Sequence, residues 1–212
     1  MTRWVCLDVG ECLVDETRVW STWADVLGVP RFTLMATLGG CVARGEDHER
    51  VFDRLGRPDW RALEPEKEAA FGGFRSGDLY PDALPTLARL RQGGYRLAVI
   101  ANQPAARHGQ LAALGVNADV MAMSGQLSVA KPDPAFFARA LELMASPDPA
   151  DVAYVGDRVD NDVRPAAAAG MRAVRIRRGP WGLLQDDTDG VAALVVGSLD
   201  ELAARMPEAF AP

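Results

Sequence analysis

Four short, nearly continuous apolar runs punctuate the chain: Trp4-Val5-Cys6-Leu7, Leu97-Ala-Val-Ile100, Val152-Ala-Tyr-Val155 and Ala173-Val-Arg-Ile176. Continuous rather than alternating apolarity suits strands buried on both faces, as in a parallel sheet. Val120-Met-Ala-Met123 and Leu194-Val-Val196 are weaker candidates of the same kind. Between these runs the apolar period lengthens to that of a helix. Residues 82–92 place Leu84, Leu87 and Leu90 on one side before Gly93-Gly94, and 104–114 stop at Gly115, a good residue to end a helix. Asp133-Pro134 reads as an N-cap and first helical position. Phe137, Ala140, Leu141 and Met144 follow it as an i, i+3, i+4, i+7 stripe. An Ala-rich helix over 162–169 closes at Gly170, and Ser198-Leu-Asp-Glu201 is a capping box before Leu202 and Met206.

Residues 16–78 break this alternation. Val19, Trp20, Trp23, Val26 and Leu27 fall at helical spacing, and further helical stretches are separated by Gly28-Val-Pro30, Gly39-Gly40, Arg57-Pro58 and Gly72-Gly73. No strand pattern occurs there. The expected architecture is therefore α/β: a three-layer, Rossmann-like parallel sheet core of residues 1–15 and 79–212, with a helical cap of 16–78 inserted after the first strand.

Composition narrows the class. The 212 residues are 49% hydrophobic and 25% charged, ordinary for a globular protein. No apolar run approaches the roughly 18 residues of a membrane span. The chain opens on a strand-like run rather than a signal peptide, so the expected location is cytoplasmic, away from membranes. A net charge of −6 argues against a nucleic-acid partner. Arg172, Arg175, Arg177 and Arg178 form the only dense basic patch, expected to be a solvated edge. Cys6, Cys12 and Cys41 make no metal-type pair and are expected to be reduced, with Cys12 a small buried side chain. With His48 and His108 the only histidines, a His-rich metal site is excluded. Trp20 and Trp23 fit cap core, Trp181 lies in a Gly-rich loop on the sheet edge, and Asp160 and Asp186-Asp187 read as solvated.

Four segments put polar groups where strands are predicted to end, the edge at which open parallel sheets bind ligands. They are Asp8-Val-Gly-Glu-Cys-Leu-Val-Asp15, Ala101-Asn102, Lys131-Pro-Asp-Pro134 and Gly156-Asp-Arg-Val-Asp-Asn-Asp162. Carboxylates gathered at one edge repel and need a cation, and oxygen ligands without His or Cys point to Mg²⁺. Beside it, an aspartate can act as nucleophile on a phosphorus and form an acyl phosphate. Lys131 and backbone N–H groups would balance phosphate charge.

These four segments, in this order and on these strands, resemble the haloacid dehalogenase-like hydrolase superfamily along essentially the whole chain. The resemblance implies Asp8 as nucleophile and metal ligand, Asp157 as a second metal carboxylate, and Asp162 as a metal support. It implies Lys131 as the clamp on phosphate and nucleophile, and an Asn102 backbone N–H on phosphate. Two positions depart from the pattern. Gly10 stands where a second aspartate serves as acid and base; it keeps the carbonyl for the metal but removes a proton carrier worth roughly 10²–10⁴-fold. Ala101 stands where a Ser or Thr hydroxyl meets phosphate, a loss on the order of 1 kcal/mol, for which Gln103 is a candidate substitute.

Three readings of Gly10 follow: substrates whose leaving group needs no acid, a stand-in such as Glu11, Asp15 or a metal-bound water, or a module that only binds. The expected function is a Mg²⁺-dependent phosphatase, monomer or homodimer, acting on a small phosphorylated metabolite. The alternatives are a non-catalytic phospho-ligand or protein-binding module and a 2-haloacid dehalogenase.

Overall fold

The computed structural model describes residues 2–186 and 190–211. Six parallel strands form one sheet: β1 (Trp4–Leu7), β2 (Arg96–Ala101), β3 (Val120–Met123), β4 (Val152–Gly156), β5 (Arg172–Ile176) and β6 (Leu194–Val196), in the order β3-β2-β1-β4-β5-β6. All four apolar runs and both weaker candidates are strands. Their side chains alternate between two cores, as the strand period requires. Val5 and Leu7 of β1 face one core with Val99 and Val155, while Trp4 and Cys6 face the other with Ile100 and Tyr154.

Helices cover both faces. α5 (Ala83–Gln92) and α11 (Leu199–Arg205) pack together on the first face, with Leu87, Leu90, Leu199 and Leu202 in its core. α8 (Pro134–Leu143) and α9 (Arg164–Ala168) cover the second through Phe136, Phe137, Ala140 and Ala166. The Asp133 carboxylate accepts the Ala135 N–H, and the Ser198 hydroxyl accepts the Glu201 N–H, so both expected caps form. α6 (Arg107–Ala113) and the single turn α7 (Ser124–Leu127) complete the α/β part with α10 (Gly179–Leu184).

Residues 16–78 contain no strand among those described. They form α1 (Thr17–Leu27), α2 (Arg31–Ala43), α3 (Arg50–Arg54) and α4 (Glu64–Phe71) around a third core of Trp20, Trp23, Leu34, Leu38, Phe52 and Trp60. Phe52 stacks on Trp60 with ring centroids 4.3 Å apart. The chain leaves and re-enters the sheet region side by side: Val14 bridges Leu79, and the Asp15 N–H donates to the Asp78 carbonyl. Arg18 ties this junction, donating to the Asp78 carboxylate and to the Phe71 and Gly73 carbonyls. No single described helix is long and apolar enough to cross a membrane.

Five local expectations fail for identifiable reasons. Leu84 is 37% exposed, because the buried stripe of α5 is Ala83, Thr86, Leu87 and Leu90. Gly39-Gly40 does not break α2, which runs through both residues. A helix tolerates a glycine for about 1 kcal/mol when its flanking residues are packed, as Leu38 and Cys41 are here. The Ala-rich helix starts later than expected, since a π-helical turn over Val159–Val163 precedes α9. The Arg172–Arg178 patch is solvated only in part: Arg177 is exposed, but β5 lies between β4 and β6. Arg175 is buried and donates to the Gly182 and Gln185 carbonyls, and Arg178 pairs with Asp82 at 2.5 Å. Trp181 sits in α10 rather than a loop, buried against Trp20 with ring centroids 6.4 Å apart. Asp186 and Asp160 are exposed as expected, although Asp160 is ion-paired with Arg158; Asp187 lies outside the described residues.

Candidate active site

β1 pairs β2 on one side and β4 on the other, so the chain's progress across the sheet reverses there. In such sheets a crevice opens beyond the strand ends at that point. Asp8 directly follows β1, and its N–H donates to the Val155 carbonyl, carrying the ladder one residue past the strand. A tight turn then forms: the N–H groups of Cys12, Leu13 and Val14 converge on the Val9 carbonyl, and Glu11 takes a positive φ of 50°. Asp157 directly follows β4, and Asp162 lies in the π-helical turn beyond it. A Cβ at residue 156 would fall 2.4 Å from the Asp162 Cγ, so glycine is required for that carboxyl to lie over the end of β4.

Oxygen atoms of Asp8, Asp157 and Asp162 lie within 4.8 Å of one another, and all three residues are buried. Lys131 Nζ joins two of them, 2.8 Å from Asp8 Oδ1 and 2.5 Å from Asp162 Oδ1. The Arg158 N–H holds the other Asp162 oxygen at 3.0 Å. Asn102 fixes the lysine's backbone: its Nδ2 donates to the Lys131 carbonyl and its Oδ1 accepts the Lys131 N–H, at 2.9 and 2.8 Å.

The charges do not balance. Burial, and then the neighbouring carboxylates Asp162 and Asp8, push Asp157 well above the usual carboxylate range. Asp162 is raised to about 6, chiefly by burial, with Lys131 opposing. For Lys131 burial acts downward, but the charges of Asp162 and Asp8 outweigh it and the net direction is up. Asp157 Oδ2 is buried without a hydrogen-bond partner. An all-oxygen donor set with one orphaned, desolvated carboxylate oxygen fits a hard divalent cation. The Gly10 backbone borders the same cavity.

That cavity encloses about 200 Å³. Its floor is Asp8, Lys131, Asp157 and Asn102, and its walls come from the helical segment, from loops and from α10: Glu16, Trp20, His48, Gln103, Arg158 and Trp181. The walls are mutually packed. His48 sits edge-on to both Trp20 and Trp181 at 6.1 Å, and the Arg158 guanidinium lies 5.3 Å over Trp181 with Nη1 3.4 Å from His48 Nδ1. Burial and then Arg158 hold the His48 ring below its usual range. Glu16 is raised to about 7 by burial and by the nearby Glu11 and Asp8 carboxylates. Cys12, also expected to be inert, is buried, and that burial raises its thiol.

The residues to which the family resemblance gave a role meet at one cleft: Asp8, Gly10, Asn102, Lys131 and Asp157 line it, and Asp162 lies beneath through Lys131, whereas Asp15, a candidate stand-in acid, does not line it. The Asn102 side chain, however, is committed to Lys131. Glu11 is committed too, accepting from Tyr80 Oη at 2.6 Å and from the Glu16 N–H at 3.0 Å. Asp15 accepts the Thr17 N–H at the start of α1. Glu16, His48 and Arg158 were not foreseen. Arg158 lies within the segment 156–162 and Glu16 directly follows the segment 8–15, but neither occupies a position given a role there, and His48 is remote in sequence from every strand end.

Known proteins fit this picture. The model of the haloacid dehalogenase-like hydrolase family matches residues 4–170. A glyceraldehyde 3-phosphate phosphatase of Methanopyrus kandleri is 34% identical over 154 residues, which is 68% of this chain and 66% of that protein. A phosphoserine phosphatase of Thermus thermophilus is 35% identical over 164 residues, covering 74% and 64%. The chain therefore spans just under two thirds of the length of these relatives. Among solved structures, a HAD phosphatase from Thermococcus onnurineus superposes with a TM-score of 0.60 at 23% identity, covering 97% of this chain and 98% of its own, a likeness of fold alone.

Proposed function

Because the chain belongs to the haloacid dehalogenase-like hydrolases, we propose that it is a Mg²⁺-dependent phosphatase that cleaves small phosphorylated metabolites through an aspartyl-phosphate on Asp8. One observation carries the reading: three buried carboxylates within 4.8 Å of one another, crossed by one lysine, on the floor of a 200 Å³ cavity. Phosphatase-named relatives in two organisms support it.

Asp8, Asp157 and the Gly10 carbonyl would hold the ion, with Asp162 behind them. Bound there, Mg²⁺ would offset carboxylate charge and polarise a phosphoryl oxygen. Asp8 attacks phosphorus with the oxygen that Lys131 does not hold, and the bond to the leaving oxygen breaks. Water then attacks the phosphorus, releasing phosphate and restoring the Asp8 carboxylate. Lys131 keeps Asp8 oriented throughout, and Asn102 keeps Lys131 in place. The helical segment 16–78 acts as the cap: Trp20 and His48 close the cavity from above, limiting it to small substrates and excluding bulk water. The three free cysteines suit a reducing compartment such as the cytoplasm.

The test is phosphate release from a panel of phosphorylated metabolites with Mg²⁺ and with EDTA. Turnover should require Mg²⁺ and fall by at least about 10³-fold in Asp8→Asn, which removes the nucleophile. Turnover by Asp8→Asn equal to that of the unaltered protein would refute the mechanism.

A further inference from the structure

Gly10 is not explained by its backbone, which has no positive φ. It is explained by its neighbour. An ideal Cβ at residue 10 would lie 2.5 Å from Glu16 Oε1, 2.8 Å from its Cδ and 3.3 Å from its Oε2. The Glu16 carboxyl therefore fills the volume in which a side chain on residue 10 would begin. Two contacts keep it there. Gln103 Nε2 donates to Oε1 at 3.3 Å, and the Glu16 N–H is anchored on Glu11 Oε1 at the entry to α1. Both Glu16 and Gln103 line the same cavity as Asp8.

Expelling an alkoxide from phosphorus needs a proton, and few groups at this cavity can bring one. Lys131 is shared between Asp8 and Asp162, and Glu11 is bound by Tyr80. His48 turns a ring nitrogen to Arg158, and Asp15 does not line the cavity. We infer that Glu16 is the proton-transfer residue of this site: its carboxyl, brought from the first turn of the helical segment, replaces a side chain that Gly10 lacks. The inference rests on the phosphatase reading above. As the Asp8 oxygen bonds to phosphorus and the bond to the leaving oxygen breaks, that oxygen takes the Glu16 proton. In the second half, water gives a proton to the Glu16 carboxylate as its oxygen bonds to phosphorus. The Asp8–phosphorus bond breaks, and the site returns to its starting state.

The test is to move the carboxyl back. With Mg²⁺ present, kcat is measured on p-nitrophenyl phosphate, whose leaving group needs little protonation, and on glycerol 2-phosphate, whose leaving group needs it. Glu16→Gln keeps size and the Gln103 contact; it should lower kcat on the alkyl ester by about 10²-fold or more and on the aryl ester by less than about 10-fold. Gly10→Asp alone should lose activity, because two carboxyls then compete for one volume. Glu16→Ala with Gly10→Asp should regain at least about 10-fold of the alkyl activity that Glu16→Ala loses. Melting temperatures show that each variant is folded, and in them Gly10→Ala should destabilise less in the Glu16→Ala background than alone. Equal losses on both esters, or no recovery in the double variant, would overturn the assignment. Turnover that vanishes in Asp8→Asn but is unchanged in Glu16→Gln would overturn it while leaving the phosphatase reading intact. No turnover of either ester by the unaltered protein would end both.

Discussion

Asp8 and Glu16 bring carboxyls to one cavity by different routes. Asp8 is there because β1 ends beside it and the sheet order turns at that strand. Glu16 is there because a turn at Gly10–Glu11 and the start of α1 bring a second carboxyl into the volume beside Gly10. The same division separates the floor from the walls. Asp8, Asn102 and Asp157 of the floor follow strands, Lys131 lies in the loop between α7 and α8, and backbone and ion-pair contacts lock them: the Lys131 side chain is only 1% exposed, and Asn102 grips its backbone. Wall residues are held by side-chain packing, with His48, Trp20, Trp181 and Arg158 leaning on one another across the helical segment and the sheet. The floor is built for charge and the walls for shape. Changes to the floor should therefore act on folding, metal binding and the attack on phosphorus, and changes to the walls, Glu16 apart, on substrate binding.

The largest expected effect is at Lys131. Lys131→Met leaves the buried carboxyls of Asp8 and Asp162 without their cation, and breaking one side of a buried ion network costs about 3 kcal/mol or more. Urea unfolding without added metal measures it, and a loss under about 1 kcal/mol would mean the floor is not held by charge. Magnesium comes next. At about 100 times its dissociation constant, an ion bound only to the folded protein adds about 2.7 kcal/mol, which is about 5 °C or more in melting temperature for a chain of this size. EDTA should remove that gain, and Asp157→Asn should cut it by most of its size. An equal rise in Asp157→Asn would place the ion elsewhere. The smallest effect is in the walls. Arg158→Ala should raise KM by about tenfold while kcat changes by less than about threefold, the mark of lost binding common to ground and transition states. The magnesium-induced rise in melting temperature should be unchanged in that variant. A fall in kcat with KM constant would move Arg158 from wall to floor.

The strands, their burial on both faces and the cap boundaries of α8 and α11 could be read along the chain because they are local. A continuous apolar run or a Ser-x-x-Glu spacing means the same thing wherever the chain goes. The same locality exposed Asp8, Asn102, Lys131 and Asp157, each close to the end of such an element, and left a gap at Gly10. The errors mark where that reasoning stops. Arg175 looked solvated by composition, yet the order of strands buries it, and Gly39-Gly40 looked like a break, yet packing on both sides carries α2 through. What fills the space at Gly10 was beyond reach for the same reason. A glycine records that a side chain is missing, but which atoms occupy the volume depends on how the turn, α1 and Gln103 converge in three dimensions. Hydrophobic order along one dimension chose the sheet and the line of charged residues at its edge; the neighbours of that edge, contributed by segments that no period connects, came into being only when the chain closed on itself.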